Sequence, residues 1–121
     1  MAEDKPMCTR YQQAANLISK RWTPLILKVL LLRPCHYSEI ARMVGHISDR
    51  VLSIRLRELE EQEIIKRTVF NEIPVRVEYE LTAKGQALSE VVEAIERWGA
   101  EWLPKPGEDS TPQKDVQQKT G

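Results

Sequence analysis

Cysteine is scarce in this chain. Cys8 and Cys35 are the only two in 121 residues, too few for a disulfide framework. Long apolar runs are missing as well: the stretch from Leu25 to Leu32 contains Lys28 and runs into Arg33-Pro34, so no segment is suited to crossing a bilayer. The opening Met-Ala-Glu-Asp-Lys-Pro has neither the basic nor the apolar region of an export signal. A cytoplasmic protein with no membrane association is the expectation. The few glycines build no phosphate-binding loop, and no Ser/His/Asp set or paired buried carboxylates stand out, so the chain does not read as an enzyme. The two histidines, His36 and His46, and the two cysteines lack the spacing of a zinc site. Neither metal nor cofactor is expected. Both histidines read as loop residues, with His46 able to meet a phosphate.

Net charge is absent too, with 18 Lys/Arg against 18 Asp/Glu, but the charges are segregated. From Arg10 to Arg57 there are nine basic residues against Glu39 and Asp49; from Glu58 onward there are eight basic against fourteen acidic. A basic face on a globally neutral molecule fits contact with a polyanion. Scattered solvated charge is the plainer alternative.

Along the chain, Thr9 is placed to cap a first helix carrying Tyr11, Ala14, Ala15, Leu17 and Ile18 at helical spacing. Thr23 is read as the cap and Pro24 as the first residue of a second helix, buried along Leu25, Ile26, Val29, Leu30 and Leu32 and stopped by Pro34. A short third helix covers Tyr37 to Val44, with Ser38 as cap and Gly45 as terminator. Ser48 then caps a fourth. At 100° per residue, Leu52, Leu56 and Leu59 share one face with Arg55 at its margin, while Arg50, Ser53, Ile54 and Arg57 point the other way. Arginine can donate two bonds to guanine, and an exposed aliphatic side chain can touch a thymine methyl. The acidic end of this helix (Glu58, Glu60, Glu61, with Glu63 after it) limits any DNA contact to its first half.

Ile64 to Phe70 and Arg76 to Leu81 alternate with period two around Asn71-Glu72-Ile73-Pro74, which predicts a hairpin with Arg76, and Lys66 beside it, available for phosphates. Thr82 is read as the cap of one last helix, with an apolar stripe of Leu88, Val91, Val92, Ile95, Trp98 and Trp102, ending at Pro104. Such a stripe reads as a dimer interface ahead of a ligand-pocket wall. Trp22, at a helix junction, reads as a core anchor. The expected layout is an N-terminal arm (1–8), a winged helix-turn-helix domain with dimerisation helices (9–103) and a disordered tail (104–121). The fold class is α+β, mainly α.

The ordered set Cys8, Leu17-Ile18-Ser19-Lys20-Arg21-Trp22-Thr23-Pro24-Leu25-Ile26-Leu27, Tyr37-Ser38-Glu39-Ile40, Ile47-Ser48 with Leu52, Arg55-Leu56 and Glu58-Leu59-Glu60, and Pro74-Val75-Arg76-Val77-Glu78-Tyr79-Glu80-Leu81-Thr82 with Gly85 resembles the HxlR family of bacterial winged-helix transcription regulators, relatives of the MarR regulators. The resemblance covers Cys8 to about Leu103. It implies a homodimer joined through first and last helices, two recognition helices on a pseudo-palindromic double-stranded operator, and repression. The DNA-binding residues it and the helical pattern point to are Ser48, Arg50, Ser53, Ile54 and Arg57, with Arg76, Asn71 and Pro74 on the wing.

Two departures stand out. Family members often carry glycine where this chain has Arg33-Pro34-Cys35-His36, and some redox-responsive members have a cysteine near the C-terminus, where this chain has none. A first-helix to last-helix disulfide is therefore excluded. Cys8 remains the candidate redox sensor: a helix start with Arg10 nearby favours a thiolate, and in several members of the resembled family this cysteine senses oxidants, quinones or aldehydes. Cys35 reads as structural, with pairing to Cys8 the lesser alternative. Two other functions stay open: the same fold answering to a small molecule between wing and last helix, or a winged-helix module that docks a protein.

Overall fold

The structure, a computed structural model, describes residues 9–107. The expected 1–8 arm, the Cys8 sensor and residues 108–121 of the expected tail lie outside the described residues. The element order is α1 (Thr9–Ser19), α2 (Thr23–Leu32), β1 (Cys35–His36), α3 (Tyr37–Val44), α4 (Asp49–Glu61), β2 (Ile65–Phe70), β3 (Arg76–Leu81), α5 (Ala83–Gln86) and α6 (Ser89–Trp102). The chain falls into two compact units, one through Ser89 and one from Glu90.

In the first unit, leucine and isoleucine side chains at helical spacing make the core. Ile26, Leu27 and Leu30 of α2, Ile40 of α3, and Leu52, Leu56 and Leu59 of α4 are all buried. Ile64 and Ile65 bring the start of β2 into the same core. Each such side chain contributes about 1.5–3 kcal/mol through removal from water. The three leucines of α4 thus anchor one face of that helix and oblige the other to face outward.

Helix starts depart from the sequence reading in two places. Thr23 lies inside α2, buried, with its N–H donating to the Lys20 carbonyl at 3.0 Å; the N-cap is Trp22, in the left-handed region at φ 80°. The Arg21 guanidinium lies 4.8 Å from the centroid of the half-buried Trp22 ring. Likewise Ser38 is not the cap of α3. The backbone stays extended through His36, whose pairing opposite Glu78 delays the helix to Tyr37, and the Glu39 carboxylate accepts the His36 N–H at 2.8 Å.

That pairing also makes a strand where a loop was expected. β1 pairs antiparallel with β3 (Cys35 opposite Tyr79) and β3 with β2 (Arg67 opposite Tyr79, Phe70 opposite Arg76), giving the order β1-β3-β2. His36 is therefore a strand residue, with its Nδ1 3.2 Å from the Val77 carbonyl.

The single last helix read from Thr82 is two. Thr82 caps only α5, its Oγ1 accepting from the Gly85 N–H at 3.1 Å. The Leu88 N–H then bonds to the Gly85 carbonyl at 3.0 Å, three residues back, and α6 begins at Ser89. Taken by itself, α6 exposes Val91, Ile95, Trp98 and Trp102 along one side. Among the described residues, no helix is long and apolar enough to cross a membrane. The overall class is a mainly helical α+β winged helix-turn-helix with a C-terminal helix.

Candidate nucleic-acid interface

The turn between α3 and α4 is built by two local devices. Gly45, at φ 104°, ends α3 and donates its N–H to the Ala41 carbonyl at 3.1 Å; a side chain there would strain the backbone. Ser48 then caps α4, its Oγ accepting the Val51 N–H at 3.1 Å, which satisfies one of the free donors of the first turn. Ser48 is exposed, yet its hydroxyl is committed to the cap.

Beyond the cap, Arg50, Ser53 and Arg57 are exposed and Ile54 is half-buried, so the four residues expected on the outer face are there, with Ile54 least available. Arg55 is held elsewhere. Its Nε donates to the Arg21 carbonyl at 2.9 Å and its Nη1 lies 3.4 Å from Glu58, whose other carboxylate oxygen takes Lys20 Nζ at 3.0 Å. This ties the α1–α2 junction to α4.

Tyr37 is the site residue that sequence reasoning missed. Its hydroxyl lies 3.0 Å from the Asp49 carbonyl, 3.3 Å from Asp49 Oδ1 and 3.3 Å from Ser53 Oγ. A phenol has one proton; given to Asp49, it leaves the phenol oxygen to accept from Ser53. The tyrosine thus braces the start of α4 and orients one of the outer-face hydroxyls. Nothing in periodicity signals this, because the contact spans sixteen residues.

The wing is β2, β3 and residues 71–75. Asn71, Glu72, Ile73, Pro74 and Val75 are all exposed, Ile73 completely, and the Ile73–Pro74 bond is cis. Arg76, expected to reach phosphate, is engaged inside the wing: Nη2 sits 3.2 Å from Glu72 and Cζ lies 4.3 Å from the Phe70 ring centroid. Its Nε is buried without a hydrogen-bond partner. Lys66 and Arg67 on β2 are exposed.

Two ionisable groups around the start of α3 are shifted. The His36 N–H holds the Glu39 carboxyl below its ordinary value, reinforced by Arg33 at 3.2 Å. Burial pushes the Cys35 thiol up, partly offset by Arg33, whose Nη1 is 3.5 Å from the sulfur. Among the described residues no group of three or more His, Cys, Asp or Glu is arranged to hold a metal ion.

Comparison with known proteins follows the same lines. The model of the HxlR-like helix-turn-helix family matches residues 17–106. The HTH-type transcriptional regulator YvaP of Bacillus subtilis is 45% identical over 97 residues, covering 80% of this chain and 90% of the relative. YodB, a transcriptional regulator of the same organism, is 41% identical over 102 residues, 84% of this chain and 90% of its own. The solved structure of reduced YodB superposes with a TM-score of 0.73 at 40% identity, over 85% of this chain and all of YodB; diamide-treated and quinone-bound YodB are also similar, with TM-scores of 0.69 and 0.70. The redox regulator HypR in its oxidised form matches with a TM-score of 0.74 at 27% identity, over 79% of this chain and 99% of that one. A helix-turn-helix with its outer face clear, a wing beside it, and relatives of this identity along most of their length place this chain in the HxlR-like helix-turn-helix family of transcriptional regulators.

Proposed function

We propose that the protein acts in the cytoplasm as a homodimeric repressor on a pseudo-palindromic double-stranded operator. The observation that carries this reading is the division of α4: Leu52, Leu56 and Leu59 are buried while Arg50, Ser53 and Arg57 stand exposed on the opposite side. In the proposed complex the first half of α4, from the Ser48 cap through Arg50, Ser53, Ile54 and Arg57, enters the major groove. Asn71, Pro74 and Arg76 on the wing meet the flanking backbone. Arg76 must leave both Glu72 and the Phe70 ring to do so; of the two, the ion pair is worth about 0–1 kcal/mol. Lys66 and Arg67 reach phosphate without such an exchange.

Cys8 is the proposed sensor. Support comes from the relatives: YodB has been solved reduced, diamide-treated and quinone-bound, and HypR is a redox regulator. Modification at Cys8, one residue before the described start of α1, would alter how the first helices of two copies meet, and with it the spacing of the two α4 helices.

The test is fluorescence anisotropy of the reduced protein on DNA from upstream of its own coding region, repeated after diamide. Salt-sensitive binding that diamide removes and a thiol reductant restores supports both parts. Binding indifferent to diamide, or unchanged regulation by Cys8→Ser, removes the sensor and keeps the regulator. Binding no tighter than to scrambled DNA, with no retention on heparin, would favour a protein-docking role instead.

A further inference from the structure

The wing ends in an apolar point. Ile73 is fully exposed and Val75, on the other side of Pro74, is exposed as well. The one charged side chain of residues 71–75 is Glu72, and Arg76 answers it at 3.2 Å. A single aliphatic side chain on a surface is ordinary. Here two of them flank a proline at a closed hairpin end. The Glu72 N–H donates to the Phe70 carbonyl at 2.8 Å, and Phe70 pairs with Arg76 directly below, the guanidinium 4.3 Å from the ring centroid. The cation expected at the tip is therefore folded back, and isoleucine stands in front.

Length says what the point can reach. The hairpin is rooted against α4: the Ile64 N–H donates to the Leu59 carbonyl at 2.9 Å, and Ile65 is buried. From Ile65 to Phe70 the strand runs roughly 17 Å, at about 3.4 Å per residue. Half a turn of duplex, the step from one groove to the next along the same face, is also roughly 17 Å. With α4 in the major groove, a hairpin of this length carries its tip to the neighbouring minor groove. Lys66 and Arg67, exposed on β2, then lie along the phosphates between the two grooves.

We propose that Ile73 is a wedge: it enters the minor groove beside the α4 site, partly unstacks one base step and kinks the duplex there. This rests on the DNA reading given above and adds to it a deformation of the DNA. Isoleucine is among the side chains that proteins insert between base steps, and insertion bends the duplex towards the major groove. Its side chain can neither donate nor accept a hydrogen bond, so it reads no base directly. What it reads is the ease of unstacking, which is greatest at pyrimidine–purine steps. Ile73 thereby sets a preference for such a step at a position that Arg50, Ser53 and Arg57 do not touch.

The experiment uses the full chain and a duplex that it selects from a random-sequence library. 2-Aminopurine replaces each adenine flanking the selected core in turn, and a second set of duplexes carries a dye at each end. The wild type is expected to raise 2-aminopurine emission at one flanking step and to bend the duplex by about 20° or more, read as increased energy transfer. Ile73→Ala, at a fully exposed position, is expected to melt as the wild type does, to lose both signals and to bind about tenfold more weakly. Ile73→Leu should restore them. Exchanging the pyrimidine–purine step for a purine–purine step should weaken the wild type and leave Ile73→Ala unchanged. Tight binding to a straight duplex, or an Ile73→Ala that bends and unstacks as the wild type does, would overturn the wedge and leave the regulator standing. Weaker binding by Ile73→Ala with bend and emission unchanged would also overturn it, making Ile73 a surface contact only. An Ile73→Ala that binds DNA normally but sediments differently would give the tip to a second copy instead. A library that yields no preferred sequence would take down the DNA reading and the wedge together.

Discussion

Arg55 and Arg57 stand two residues apart on α4 and carry the same group, yet only one is available. Arg55 is spent on the Arg21 carbonyl and Glu58, whereas Arg57 is exposed. Arg57→Ala is expected to cost about 1–3 kcal/mol of operator affinity and to relax preference at one base pair, measured by anisotropy on single-position operator variants. An equal loss on every sequence with a shallower salt slope would make Arg57 a phosphate contact. Cys35 illustrates the opposite extreme, a reactive residue type made inert. It is 1% exposed, and its thiol donates to the Arg33 carbonyl at 3.4 Å. Because burial raises its folded pKa above the ordinary 9.0, the stabilisation from keeping it neutral is complete below pH 9.0 and fades as pH rises through the raised value. Urea midpoints are therefore expected to fall at alkaline pH less steeply in Cys35→Ala than in the wild type, and peptide mapping should find Cys35 alkylated by iodoacetamide only in denaturant.

Among the elements, α5 is held to the sheet by a contact that leaves no room for a side chain. A Cβ on Gly85 would collide with the Ile64 carbonyl oxygen and come within 2.9 Å of Leu81 Cδ2. Gly85→Ala is expected to destabilise the fold by about 1–3 kcal/mol, despite alanine's better helix propensity, read as a lowered urea midpoint with an unchanged slope. This glycine was visible in the sequence only as part of a family pattern; its reason is tertiary. The same distinction explains what could be read in advance. α2, α4 and the hairpin declare themselves because leucine spacing and period-two alternation are local, and the outer face of α4 follows from angle alone. β1 could not be read, since two residues carry no period and exist as a strand only through pairing with Tyr79 and Glu78. Displacement of the caps from Thr23 to Trp22 and from Ser38 to His36 has the same origin, as do the break after α5, the Tyr37 brace and the folding of Arg76 onto Phe70. Each is settled by which distant atoms arrive, and sequence spacing carries no record of them.

For the whole molecule, the second unit presents a different surface from the first. α6 leaves Trp98 60% and Trp102 66% exposed, along the same side as Val91 and Ile95. Large aromatic side chains on one stripe are characteristic anchors of an interface, where a tryptophan at a hot spot is worth about 2 kcal/mol or more. Trp98→Glu is expected to raise the dimer dissociation constant by about thirtyfold or more in sedimentation equilibrium, with folding of the first unit intact by circular dichroism. A wild type that sediments as a monomer at all concentrations would remove the dimer.

The division of α4 into a clear basic start and an acidic end has one more consequence, for how much a single copy can spell. Arg50 to Arg57 spans roughly 10 Å of helix at 1.5 Å per residue, about three steps of a duplex whose bases rise 3.4 Å. A three-letter word turns up about once in every 64 positions of random sequence, and a genome offers on the order of a million or more competing sites. One recognition helix of this length therefore names a syllable, not an address; only two of them read at a set spacing, with the wings and the shape of the intervening DNA as punctuation, can make the message unique.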